Sequence, residues 1–219
     1  DAASLAHHGA SLVESEAAAA PKLLVGLSGG STPRAMHEDL ATRTIDWAGV
    51  TTWISDERWV RPDSPDSNAR MARETLTDRV GAKLLAPDTT LRDPATAARQ
   101  FADVIEPELT TRGTRSIVFL GLGTDGHTAS LFPDTQALDV AGPSYVANYV
   151  PKLDSWRLTA TYGLIALADI VVFLVAGESK APVVREIADG VAHPAASVTA
   201  SERVLWLLDR GAASDLEAT

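Results

Sequence analysis

Residues 170–175, Ile-Val-Val-Phe-Leu-Val, are apolar without a break and rich in β-branched side chains. A strand of this kind offers water no polar face, so it must be covered on both sides, as an interior strand of a helix-sandwiched parallel sheet is. Further strands are expected at 22–27, 51–55, 116–120 and 204–208, with alternating strand-like segments at 145–150 and 157–161. Between them, helices are expected at 2–20, at 34–41 after Pro33, and at 68–77, 94–109, 162–168 and 180–189, with a short helical turn at 128–132 stopped by Pro133. The chain of 219 residues is long enough to bury a substantial core, and it shows neither an internal repeat nor a low-complexity linker. The pattern predicts one α/β domain over residues 1–219, with a doubly wound, mostly parallel sheet flanked by helices.

In such sheets ligands bind beyond the carboxyl ends of the strands. Four predicted strand ends carry chemistry: 28–32, 56–58, 123–127 and 177–180. In Gly121-Leu122-Gly123-Thr124-Asp125-Gly126-His127 an Asp stands two residues before a His on a glycine-rich loop. Asp125 can hold the His127 imidazole in one tautomer while the other nitrogen faces a cleft, the arrangement of a general base; the plain alternative is a glycine turn with a surface His. In Gly29-Gly30-Ser31-Thr32-Pro33, Ser31 or Thr32 can cap the next helix and Pro33 suits its first position. That loop reads either as a simple capped turn or as a phosphate cradle, with glycines admitting the anion to backbone N–H groups. Asp56-Glu57-Arg58 reads as a charged loop, solvated or, given Trp53 and Trp59 on either side, partly buried and therefore in need of partners. Lys180 stands at a helix start, where it is a surface lysine or a point charge for phosphate.

Two further matches are weak. Gly26-Leu27-Ser28-Gly29-Gly30 fits a nucleophile elbow, but Gly29, Gly30 and Pro33 delay the helix that should follow Ser28 directly. Residues 121–126 fit G-x-G-x-x-G, yet Pro133 cuts off any dinucleotide-binding helix and no acidic residue lies where a ribose needs it. His7, His8, His37 and His193 have no such setting, and no His/Asp/Glu cluster has metal-ligand spacing, so a metal-independent reaction is expected.

Composition narrows the partners. A formal net charge of −10 argues against a nucleic-acid surface, so an anionic ligand requires locally concentrated Arg and Lys. Hydrophobic residues at 45% and charged residues at 22% are ordinary for a globular protein, and no apolar run approaches the roughly 20 residues of a membrane helix. The absence of cysteine excludes disulfides and thiolate nucleophiles and fits a cytoplasmic setting. No secretory signal is visible, and the start at Asp1 rather than Met leaves room for a preceding segment.

Taken together, Leu27-Ser28-Gly29-Gly30-Ser31-Thr32-Pro33, Ser55-Asp56-Glu57-Arg58, Ser67-Asn68, the run from Gly121 through His127 to Thr128-Ala129-Ser130-Leu131-Phe132-Pro133, and Arg157-Leu158-Thr159 resemble the glucosamine-6-phosphate isomerase/6-phosphogluconolactonase family. The resemblance covers about residues 22–209 and falls on the 6-phosphogluconolactonase branch. It implies the glucosamine-6-phosphate isomerase-like fold and hydrolysis of 6-phospho-D-glucono-1,5-lactone in the oxidative pentose phosphate pathway, with no cofactor. It further implies a cytoplasmic monomer or weak dimer whose only partner is the small sugar-phosphate substrate. It implies His127 as base and Asp125 as its orienting group. Gly29, Gly30, Ser31, Thr32, Asp56, Arg58, Arg157 and Lys180 are implied as substrate-binding. The alternatives are a glucosamine-6-phosphate deaminase and a serine esterase using Ser28. The deaminase pattern has Tyr where Arg58 stands and Asn-Glu where Leu131-Phe132 stand.

Overall fold

The computed structural model describes residues 1–216. Its helices and strands follow in the order α1 (Ala2–Ala19), β1 (Leu23–Leu27), α2 (Ser31–Leu40), β2 (Val50–Ile54), β3 (Asp56–Arg58), α3 (Asn68–Ala72), α4 (Asp78–Val80), β4 (Lys83–Leu85), α5 (Pro94–Thr110), β5 (Arg115–Leu120), β6 (Tyr145–Val150), β7 (Ser155–Ala160), α6 (Tyr162–Ile165), β8 (Ile170–Val175), α7 (Ala181–Ala188) and β9 (Arg203–Leu208). Six strands form a sheet in the order β4-β2-β1-β5-β8-β9, and every pairing within it is parallel. No helix among the described residues is long and apolar enough to cross a membrane.

The side-chain alternation of the strands builds two cores. Leu23, Val25, Leu27, Ile117, Phe119, Ile170, Val172 and Leu174 point to one face, where α1, α2 and α3 cover them. Leu24, Val118, Leu120, Val171, Phe173 and Val175 point to the other, toward α5, α6 and α7. This is the physical reason that 170–175 contains no polar residue: both of its faces are interior, and β8 is buried along its whole length. Local chemistry sets the long helix starts. Asp1 accepts from the Ser4 N–H at 2.8 Å and Asp93 from the Thr96 N–H at 2.7 Å, with Pro94 at the first position of α5.

Several expectations need correction. Residues 56–58 are not a loop but strand β3, antiparallel to β7 and placing Asp56 opposite Thr159 and Arg58 opposite Arg157. With β6 these strands make a separate three-stranded antiparallel sheet, β3-β7-β6, in addition to the parallel one. Residues 128–132 are not helical: Ala129 has φ +47°, and Leu131 N–H donates back to the Thr128 carbonyl at 2.9 Å. The helix expected over 68–77 is α3 for five residues and then a π turn, Arg73–Thr77. β4 was not anticipated. Helix α2 starts at Ser31 with Gly30 (φ +108°) as its cap residue, and no side chain caps it, so Ser31 and Thr32 sit within its first turn.

Candidate active site

The sheet order reverses between β1 and β5. From β1 the chain moves outward through β2 to β4, then returns to place β5 on the other side of β1. The crevice at that switch point lies between the loop after β1 and the loop after β5, so the Gly29 and His127 segments face each other because of topology. A cavity of about 210 Å³ opens there, lined by Ser28, Gly29, Asn68, Gly123, His127 and Lys180, together with Asp56 and Arg58. A second cavity of about 320 Å³ adjoins it through Asp56, Arg58 and His127 and adds Asp125, Lys152 and Arg157.

The loop after β5 is folded tightly around the imidazole. Gly123 N–H donates to the His127 carbonyl at 2.8 Å, and Gly126 N–H to the Gly123 carbonyl at 3.0 Å. A Cβ on Gly123 would stand 2.0 Å from His127 Nδ1 and 2.5 Å from Asp125 Oδ1, so only glycine lets the backbone pass behind this pair. His127 Nδ1 donates to Asp125 Oδ1 at 2.5 Å. That bond puts the proton on Nδ1 and leaves Nε2, which has no protein partner among the described residues, as an acceptor. Phe132 stacks on the imidazole with a ring separation of 4.0 Å and a 20° tilt. Burial opposes ionisation of Asp125, yet hydrogen bonds from Lys152 and His127 outweigh it and hold the carboxyl well below the usual carboxylate range.

The second sheet lays charge over this crevice. Asp56 is buried and its Oδ2 accepts from Ser130 Oγ at 2.7 Å, while its carbonyl accepts from Asn68 Nδ2 at 2.7 Å. Asn68 in turn crowds the glycine loop, since a Cβ on Gly29 would lie 1.9 Å from Asn68 Oδ1. Arg58 and Arg157 stand directly opposite each other across β3 and β7, hence on one face. Arg58 Nη1 donates to the Asp66 carbonyl at 2.6 Å, and neither guanidinium has a carboxylate partner among the described residues. Burial and the neighbouring Arg58 lower the Arg157 pKa, against the opposite pull of Asp56, Asp66 and Glu57. Burial likewise lowers that of Lys180, which reaches the first cavity from the turn after β8, where Gly177 adopts φ +96°.

Of the residues singled out from the sequence, Gly29, Asp56, Arg58, His127 and Lys180 line the first cavity, and Asp125 and Arg157 the second. Gly30, Ser31 and Thr32 line neither; they form the uncapped start of α2 beside it. Ser28 Oγ is buried with no hydrogen-bond partner, so no base activates it as an esterase nucleophile. Residues 121–126 lead into no helix, which removes the dinucleotide reading. Glu57 is neither a solvated charge nor a site group. It accepts from Arg58 N–H at 2.8 Å, Ser67 Oγ at 2.9 Å, and Asn68 N–H and Ala69 N–H at 2.7 Å each, and so caps α3. Burial pushes its carboxyl up against the pull of those donors. Asn68, Ser130, Phe132 and Lys152 line these cavities and escaped sequence reasoning as site groups. Lys152 follows Pro151 at a turn between two alternating strands, a pattern that any surface lysine shares.

The model of the family described as "Glucosamine-6-phosphate isomerases/6-phosphogluconolactonase" matches residues 1–206. A 6-phosphogluconolactonase of Nostoc sp. is 35% identical over 206 residues, covering 89% of this chain and 85% of the relative. One of Synechocystis sp. is 39% identical over 207 residues, covering 88% and 84%. The crystal structure of the 6-phosphogluconolactonase from Thermotoga maritima superposes with a TM-score of 0.81 at 27% identity, covering 93% of this chain and 92% of that one. A monomeric glucosamine-6-phosphate deaminase superposes with a TM-score of 0.83 at 22% identity over 98% of this chain and 97% of that one, which shows a shared fold.

Proposed function

Because this chain belongs to the family of glucosamine-6-phosphate isomerases and 6-phosphogluconolactonases, we propose that it hydrolyses 6-phospho-D-glucono-1,5-lactone to 6-phosphogluconate. The observation that carries the reading is the 2.5 Å Asp125–His127 pair with a free Nε2, set in a crevice that also gathers Arg58, Arg157 and Lys180. A chain of net charge −10 that concentrates three poorly neutralised cations around one crevice is built for an anionic ligand there.

In this reading His127 Nε2 takes a proton from water as the water oxygen bonds to C1 of the lactone. The bond from C1 to the ring oxygen then breaks, and the imidazolium returns its proton to that departing oxygen. A lactone is an activated ester, so a positioned water and one base suffice, with no covalent intermediate. The 6-phosphate is held by the open N–H groups at the start of α2, after Gly29 and Gly30 and including Ser31 and Thr32, and by Arg58, Arg157 and Lys180. Asp56, fixed by Ser130, faces the sugar hydroxyls. Phe132 also favours the lactone branch, because an apolar ring stacks on His127 where the deaminase pattern supplies a carboxylate. A monomer or weak dimer working in the cytoplasm without a cofactor completes the reading, and the lack of cysteine supports a reducing compartment.

The direct test compares freshly prepared 6-phosphogluconolactone with glucosamine 6-phosphate, after subtraction of spontaneous lactone hydrolysis. Turnover of the lactone alone is expected; deamination, or product binding without turnover, would sink the proposal. Arg58→Met and Lys180→Met are each expected to raise KM on the order of tenfold to a hundredfold, the worth of one hydrogen bond to a charged group. An unchanged KM removes that residue from the phosphate site.

A further inference from the structure

Lys152 sits in the turn Pro151–Leu153 that joins β6 to β7, so it reaches the crevice from the second sheet rather than from the glycine loop. Its Nζ donates to Asp125 Oδ2, the carboxylate oxygen that His127 leaves free. The same Nζ lies 5.2 Å from the centre of the Phe132 ring, whose face stacks on His127. Lys152 therefore grips both groups that touch the imidazole, and His127 is clamped between a carboxylate and a ring that share one cation.

We propose that Lys152 is a positioning residue for the lactone hydrolysis argued above: it orients Asp125 and Phe132 around His127 and offsets the carboxylate charge, so that Nε2 is held toward the crevice to accept a proton. A carboxylate bonded through one oxygen only is free to turn; a lysine on the far oxygen fixes the plane of Asp125 and keeps the orienting oxygen against Nδ1. The other charged groups around His127 are Asp56 and Arg58 from β3, Arg157 from β7 and Lys180 after β8. His193, behind Gly126, is engaged by Glu186 at 2.7 Å. Lys180 feels the Asp125 charge at longer range, and none of these groups bonds to the free oxygen of Asp125, which Lys152 holds.

The test uses Lys152→Met, which keeps an apolar stem without the charge, and Lys152→Arg, which keeps the charge. Lys152 is half exposed, and both variants are expected to fold. In Lys152→Met, kcat is expected to fall on the order of tenfold with KM within about twofold. Lys152→Arg is expected to restore kcat. Independently of any substrate, the Nδ1-bound proton of His127, followed by NMR, is expected to exchange faster with water in Lys152→Met, because the carboxylate that holds it is loosened. An unchanged exchange rate overturns the clamp, as does a loss confined to KM, which would make Lys152 a substrate ligand. Faster exchange in a protein that turns over no lactone supports the clamp and overturns the lactonase reading.

Discussion

His127→Ala is expected to lower kcat for the lactone by about 10²- to 10⁴-fold, the usual worth of general base catalysis. Affinity for 6-phosphogluconate should stay near that of the parent protein, since the phosphate ligands stand on other elements. The carbonyl of residue 127 still receives the Gly123 N–H, so the loop keeps its backbone bond. Asp125→Asn should reproduce much of the loss with the shape of the site preserved. An amide that turns its NH₂ toward Nδ1 moves the imidazole proton to Nε2, which then cannot accept one from water. The measurement is single-substrate kinetics over the spontaneous background, paired with product binding by calorimetry. A His127→Ala enzyme that retains the parent rate ends the mechanism.

Stability in mild acid is expected to depend on a second, fully buried histidine. His37 lies on α2, fully buried, with Nδ1 3.3 Å from Thr75 Oγ1, a hydroxyl that already donates to the Met71 carbonyl at 2.7 Å. Nδ1 is thus the donor, and Nε2 has no partner. A proton added to Nε2 would have nowhere to go, and burial, with a smaller contribution from Arg34, lowers the His37 pKa from 6.5 to about 4. Above pH 6.5 the residue is neutral in both folded and unfolded chains and has no effect on the pH dependence. Between 6.5 and 4 the unfolded chain takes up a proton that the folded one refuses, so folding free energy is lost as pH falls, by about 3 kcal/mol in all. His37→Asn, which can hydrogen-bond to Thr75 and cannot titrate, should remove that part of the slope. Urea unfolding of both proteins at several pH values between 4 and 7.5 checks this as a difference, so the contributions of Asp125 and Glu57, common to both proteins, cancel. Parallel stability curves would show that His37 is not held neutral.

The strands were legible because their signal is local. An uninterrupted apolar run such as 170–175 admits one environment wherever it occurs, and β8 spans those same residues. The glycine segments at 28–30 and 121–126 were legible for a related reason: a tight reversal at a strand end needs residues without a Cβ, and Gly123 has no room for one. By contrast, 56–58 read as a loop because its three charged residues carry no strand signal. They become β3 only because β7, distant in the chain, offers its edge, and because Asn68 and Ala69 bring their N–H groups to Glu57. The misreading of 128–132 has the same origin. Short spans take their conformation from neighbours, and here Ser130 is tied to Asp56 and Thr159.

By itself, then, the sequence determined the α/β class, the glycine loops after β1 and β5 and the Asp125–His127 spacing, since each follows from contacts within a few residues. Only the tertiary structure decided that Arg58 opposes Arg157, that Glu57 is a buried cap, and that Lys152 closes on Asp125. Those contacts depend on the register between strands of the second sheet, and no stretch of chain encodes a register that its distant partner must supply.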